Sequence, residues 1–102
     1  MPYGLDEQTI KAIKPVFERY PQIRSVILYG SRAKGNYQNG SDIDLALKGE
    51  DLDLSVVNNI ANLIDDLLLP YHFDISIYSQ ISNTNLIDHI KRVGVVFYDS
   101  HE

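Results

Sequence analysis

Hydrophobic positions recur along this chain in two alternating rhythms, one of helices and one of strands. Ile10, Ile13, Val16, Phe17 and Tyr20 fall near one stripe at helical spacing, predicting a helix over residues 6–20. Pro15 interrupts that stripe. Its ring nitrogen cannot donate to Lys11, so a kink or a division is expected there, and Pro21 ends the segment. Residues 25–29 (Ser-Val-Ile-Leu-Tyr) form a short apolar run bounded by Gly30, the pattern of a buried strand. Residues 31–35 fit a short helical turn, and residues 36–40 are polar and loop-like. Over 41–47, Ile43, Leu45 and Leu47 alternate with Asp42, Asp44 and Ala46, a strand of period two.

The second half repeats the alternation. Asp51 or Asp53 can cap a helix whose apolar stripe is Leu54, Val57, Ile60, Ala61, Ile64, Leu67 and Leu68, with Pro70 after its end. Phe73, Ile75 and Ile77 alternate with Asp74 and Ser76 as a third strand. Asn83 or Asn85 can start a last helix with Leu86, Ile87 and Ile90 inward and Gly94 as its stop, and residues 95–98 close the chain as a strand. About ten residues with little helix join the first two strands, so these can pair antiparallel, whereas a long helix before the third suggests a parallel crossover. The expected class is α/β (α+β): a two-layer mixed sheet with helices packed mainly on one face, in a single domain spanning 1–102.

Bulk properties narrow the function. The chain has 102 residues and a formal net charge of -5. A negative domain repels a phosphate backbone, so bulk nucleic-acid binding is disfavoured. A single nucleotide held through metal ions is compatible, because the ions invert the local charge. Cysteine is absent, excluding disulfides, thiolate nucleophiles and zinc–thiolate sites. No apolar run approaches a membrane span, and the first residues lack signal-peptide order, so a soluble, cytoplasmic protein is expected.

Chemistry concentrates in two adjacent stretches, Gly30-Ser31-Arg32-Ala33-Lys34-Gly35 and Ser41-Asp42-Ile43-Asp44-Leu45. In a strand, Asp42 and Asp44 project to one side, about 6–7 Å apart. Carboxylates so placed repel unless a cation joins them. Hard divalent ions favour such oxygens. Gly30 lets a backbone approach an anion, amides at a helical start favour phosphate, and the Ser31 hydroxyl adds a donor. Arg32 is a candidate phosphate ligand, with Lys34 a weaker one. Asp74 occupies a polar position of the third strand. If that strand neighbours the second, three carboxylates converge and can hold two metals.

These residues look like the signature of the DNA polymerase β-like nucleotidyltransferase superfamily: Gly30-Ser31, Gly35, and Asp42-Ile43-Asp44. The short length makes the chain similar to the minimal nucleotidyltransferases (MNT-domain proteins) whose genes lie beside those of HEPN-domain proteins. The resemblance implies the polymerase β-like fold and a reaction in which a hydroxyl attacks the α-phosphorus of a nucleoside triphosphate, releasing pyrophosphate. It implies Asp42 and Asp44 as metal ligands and Asp74 as ligand and base. Gly30 and Ser31 would hold the nucleotide's β and γ phosphates. The implied cofactor is Mg²⁺, two ions, with Mn²⁺ also suited to the ligands, and the implied substrate is ATP. The implied acceptor is a tyrosine of a HEPN-domain partner, whose modification silences a toxin.

No helical acceptor-building domain follows Gly94, so an open site or one completed by another chain is expected, in a hetero-oligomer or a homodimer. The alternatives are transfer to a small molecule such as an aminoglycoside, or a non-catalytic nucleotide-binding module. Elsewhere the readings are plain. His72, His89 and His101 lack metal-ligand spacing and read as surface residues, and Asp65 and Asp66 as a wet helix face. Tyr29 and Tyr37 flank the motif and could line a base pocket. Leu67, Leu68 and Leu69 read as core, with part of the run available to a partner.

Overall fold

The computed structural model describes residues 2–38 and 40–100. His101 and Asn39 therefore lie outside the described residues. A 3-10 turn, Pro2–Gly4, leads into helix α1, Glu7–Glu18. Strand β1, Ile23–Tyr29, runs directly into the short helix α2, Gly30–Lys34. Strand β2 spans Ile43–Gly49, helix α3 Leu54–Asp65, strand β3 Phe73–Ile77, helix α4 Thr84–Val93 and strand β4 Val95–Asp99. The strands form one sheet in the order β3-β2-β1-β4. β1 is antiparallel to both β2 and β4, and β2 is parallel to β3 across the α3 crossover. The expected mixed sheet is therefore present.

Local chemistry starts each helix. The Asp6 carboxylate accepts from the Thr9 amide at 2.7 Å, that of Asp53 from the Val56 amide at 3.0 Å, and the Asn83 side chain from Asn85 and Leu86. Each satisfies amides that the first helical turn leaves without partners. Contrary to the expected break, α1 runs on through Pro15. Pro15 and Lys11 both lie on the exposed side of the helix, where water can take the carbonyl left without its amide.

The alternation in β2 separates two environments. Ile43, Leu45 and Leu47 point into the main core with Val26 and Leu28 of β1, Phe97 of β4, Ile13, Val16 and Phe17 of α1, and Ile60 and Ile64 of α3. Ala46 points the other way, into a smaller cluster with Ile27, Tyr29 and Ile90 of α4. The two long helices thus share one face of the sheet, and the shorter α4 covers part of the other. Phe17 anchors the larger core, with its ring edge-on to Phe97 at 6.4 Å and tilted against Tyr98 at 5.7 Å.

Part of the apolar stripe expected for α3 departs from a buried face. Leu54 is 69% exposed and Leu68 88% exposed. Leu54 is the first residue of α3, and the helix ends at Asp65, so helical periodicity no longer governs Leu67 and Leu68. Leu69 still packs against the core. Phe17→Ala should cost about 3–5 kcal/mol, the usual range for emptying a large aromatic site. Urea unfolding would show this as a lower midpoint at unchanged slope.

Candidate active site

The candidate site lies on the α4 side of the sheet, opposite the main core. Register decides its composition. Asp44 pairs with Asp74 in the parallel β2–β3 ladder and with Tyr29 in the antiparallel β1–β2 ladder. One row across three strands therefore reads Tyr29, Asp44, Asp74. Asp42 lies one residue ahead of β2 rather than within it. It is exposed, as is Asp74, while Asp44 is partly buried between them.

These carboxylates sense one another. Burial pushes the Asp44 carboxyl up to about 6, and the charges of Asp74 and then Asp42 push in the same direction, with His72 opposing. Tyr29 is also raised, chiefly by burial, with smaller contributions from Asp74 and Asp44 against a hydrogen bond from Ser76. The row thus carries concentrated negative charge on a rigid sheet.

The glycine turn abuts this row. Gly30 has φ of +77°, a backbone that strains other residues, and a Cβ there would displace the Asp44 carboxylate. Gly35 closes α2 in the left-handed conformation at φ +93°. Ser31 is partly exposed in the first turn of α2. The Gly30 amide, however, donates to His89 Nε2 of α4 at 3.0 Å. The His89 ring meets Tyr29 edge-on at 6.3 Å. His89 is therefore part of the site's frame rather than a surface residue. No local motif announces it, because its partner lies 59 positions away in sequence.

Arg32 departs furthest from expectation. Its residue is 3% exposed. Nε and one terminal nitrogen donate to the Ser41 carbonyl at 3.0 and 2.9 Å, and the other terminal nitrogen donates to the Tyr3 carbonyl at 2.9 Å. The Tyr37 and Tyr71 rings flank it at 5.4 and 5.2 Å. A guanidinium so engaged is a brace, not a free phosphate ligand. It ties the N-terminal turn to the residue before Asp42, and to Tyr71, three positions before Asp74. One face of the exposed Tyr37 ring is given to Arg32, while Tyr29 is buried in the sheet row and so lines no open base pocket. Lys34 is exposed, and His72 is exposed beside the carboxylates.

The donor chemistry suits a hard divalent cation: carboxylate oxygens and no sulfur. Among the described residues no three or more His, Asp or Glu side chains form a ready-made metal-holding group. The three-acid group expected from the sequence is thus not assembled: Asp44 and Asp74 pair across the ladder, while Asp42, one residue ahead of β2, acts on Asp44 through its charge.

Residues 11–102 match the family described as Polymerase beta, Nucleotidyltransferase. The chain belongs to this family. It is a nucleotidyltransferase domain whose four-stranded mixed sheet matches the polymerase β-like fold. No curated protein matches the chain by sequence. Among solved structures, a chain of a toxin–antitoxin complex with AMP-PNP superposes at a TM-score of 0.72 with 23% identity, covering 94% of this chain and 75% of that one. A chain from the complex of tri-AMPylated Shewanella oneidensis HEPN toxin with MNT antitoxin gives 0.69 and 19%, covering 95% and 75%. A chain of the toxin–antitoxin MntA-HepT gives 0.68 and 19%, covering 94% and 74%. At these identities the likeness is one of fold. Among the described residues, no helix is long and apolar enough to cross a membrane.

Two outcomes follow for this nucleotidyltransferase domain. Folding raises Asp44 from 3.8 to about 6, so the fold favours its protonated form. The resulting penalty is absent below the unfolded value, grows between the two values and is complete above about pH 6. Asp44→Asn should therefore stabilise the metal-free protein at pH 8, by on the order of 1 kcal/mol after solvent screening, or about 4–8 °C in Tm. The gain should shrink to a small fraction by about pH 4 and vanish about one pH unit below that. Thermal unfolding at the two pH values checks it, and equal gains at both would contradict it. Arg32→Lys should cost about 2–4 kcal/mol, because one ammonium cannot serve both carbonyls and both rings. Chemical denaturation would read this loss.

Proposed function

We propose that this domain transfers AMP from ATP to a protein hydroxyl, with a tyrosine of a HEPN-domain partner as the acceptor. The observation that carries the proposal is the pairing of Asp44 with Asp74, with Asp42 near enough to act on Asp44, against a glycine at which a side chain would meet the Asp44 carboxylate. Family membership supports the reaction class. Solved toxin–antitoxin complexes of the same fold, one with AMP-PNP and one with an AMPylated HEPN toxin, support the nucleotide and the acceptor.

In this reading Asp42, Asp44 and Asp74 would hold the divalent cations. When bound, such ions neutralise the triphosphate and the departing pyrophosphate. Asp74, the more exposed member of the paired acids, takes the proton from the acceptor hydroxyl. The acceptor oxygen forms a bond to the α-phosphorus, the bond from that phosphorus to its bridging oxygen breaks, and pyrophosphate leaves. Ser31 contacts the outer phosphates, while the Gly30 amide is engaged by His89. Arg32 acts by holding the turn and the Asp42 loop together.

The test is transfer of label from α-labelled ATP to a HEPN-domain partner with Mg²⁺, the modified residue being located by mass spectrometry. Label should appear on tyrosine and disappear with a chelator. Asp44→Asn should lower the rate by about 10³-fold, the scale seen when one strong electrostatic contribution is lost. Transfer by that variant at the wild-type rate would overturn the assignment. ATP binding without pyrophosphate release, with partner and Mg²⁺ present, would instead mark a non-catalytic module.

A further inference from the structure

The hydrogen bond from the Gly30 amide to His89 Nε2 joins the glycine turn to a helix that carries none of the proposed catalytic acids. Three facts give it weight. Tyr29, the residue that caps α2, makes no side-chain capping bond, so the start of this five-residue helix lacks the usual local stop. The acceptor comes instead from α4, which is held to the sheet by Ile90, the residue next to His89, packed with Ile27, Tyr29 and Ala46. The same imidazole rests edge-on against Tyr29, whose strand position is opposite Asp44. His89 therefore grips both sides of the Tyr29–Gly30 peptide.

The direction of the bond matters. At Gly30 the missing Cβ would point at the Asp44 carboxylate, while the amide points at α4. An amide satisfied by an imidazole nitrogen is turned away from a ligand above the carboxylates. Its rotation also sets which way the following Ser31 residue faces. An acceptor Nε2 requires the neutral ring with its proton on Nδ1.

We infer that His89 is a positioning residue for nucleotidyl transfer: by accepting the Gly30 amide it sets the angle of the glycine-serine turn over Asp44. The inference rests on the transfer activity proposed above. It assigns His89 no contact with nucleotide or acceptor. A turn displaced by about 1 Å costs up to about 10²-fold in rate, so loss of this one bond should appear in kcat more than in stability.

Two substitutions separate the acceptor from the ring. His89→Phe keeps an aromatic edge for Tyr29 and removes the acceptor. His89→Gln removes the ring and supplies a carbonyl oxygen. His89→Phe should lower kcat by about 10- to 100-fold with KM for ATP changed much less and Tm nearly unchanged. His89→Gln should recover most of that kcat. Hydrogen exchange of the Gly30 amide, followed by NMR on the metal-free protein, should accelerate in the Phe variant and slow again in the Gln variant.

A Phe variant with wild-type kcat, or a Gln variant no better than Phe, overturns the inference. So does a Phe variant that works faster, which would make His89 a block on the turn. Unchanged Gly30 exchange in the Phe variant overturns it as well. A wild-type chain that transfers no nucleotide overturns both this inference and the proposed function, whereas an active wild type with an equally active Phe variant overturns only the role of His89.

Discussion

Burial of one carboxylate, Asp44, with the neighbouring charges of Asp74 and Asp42 adding to its cost, is the constraint around which the candidate site is arranged. Asp44 is held partly buried, paired with Asp74 and close to Asp42, in an order that free side chains would avoid. The opposite face supplies the restraint. Ile43, Leu45 and Leu47 are fully buried against α1 and α3, so β2 cannot slip by one residue without driving acids into the core and leucines into water. Hydrophobic register on one side of the sheet thus maintains electrostatic strain on the other. That strain suits a site whose substrate arrives with cations.

Around this row the chain uses distant contacts to fix a short turn. α2 is only five residues long and has little packing of its own. Its position is held from two directions, Arg32 spanning to Ser41 and Tyr3 and His89 taking the Gly30 amide, and Gly30 leaves the Asp44 carboxylate the space a side chain would fill. Buried guanidinium chemistry is costly unless its donors are satisfied. Here the bonds to Ser41 and Tyr3 and two tyrosine faces compensate it. Precision at the glycine turn is therefore a property of the assembled fold, not of the motif that names it.

The sequence reading reached far where interactions are local or periodic. The alternation in 41–47 and 73–77 placed Asp44 and Asp74 on polar sides of strands before any register was known. Capping by Asp53 and Asn83 was readable because an acceptor side chain and the amides it satisfies lie within three residues of each other. The reading failed at Pro15, whose missing bond is harmless on an exposed helix side, and at Leu68, beyond the end of the helix whose period suggested burial.

By itself the sequence determined the order of elements, the two-sided character of β2 and the residue types that suit phosphate and metal chemistry, since these follow from spacing along one chain. Only tertiary structure decided that Asp74 stands beside Asp44, that Arg32 braces the loop instead of facing a ligand, and that His89 completes the glycine turn. Each of those depends on which strand neighbours which, and on atoms many residues apart competing for the same donors. Periodicity carries no information about such partners until the chain has folded.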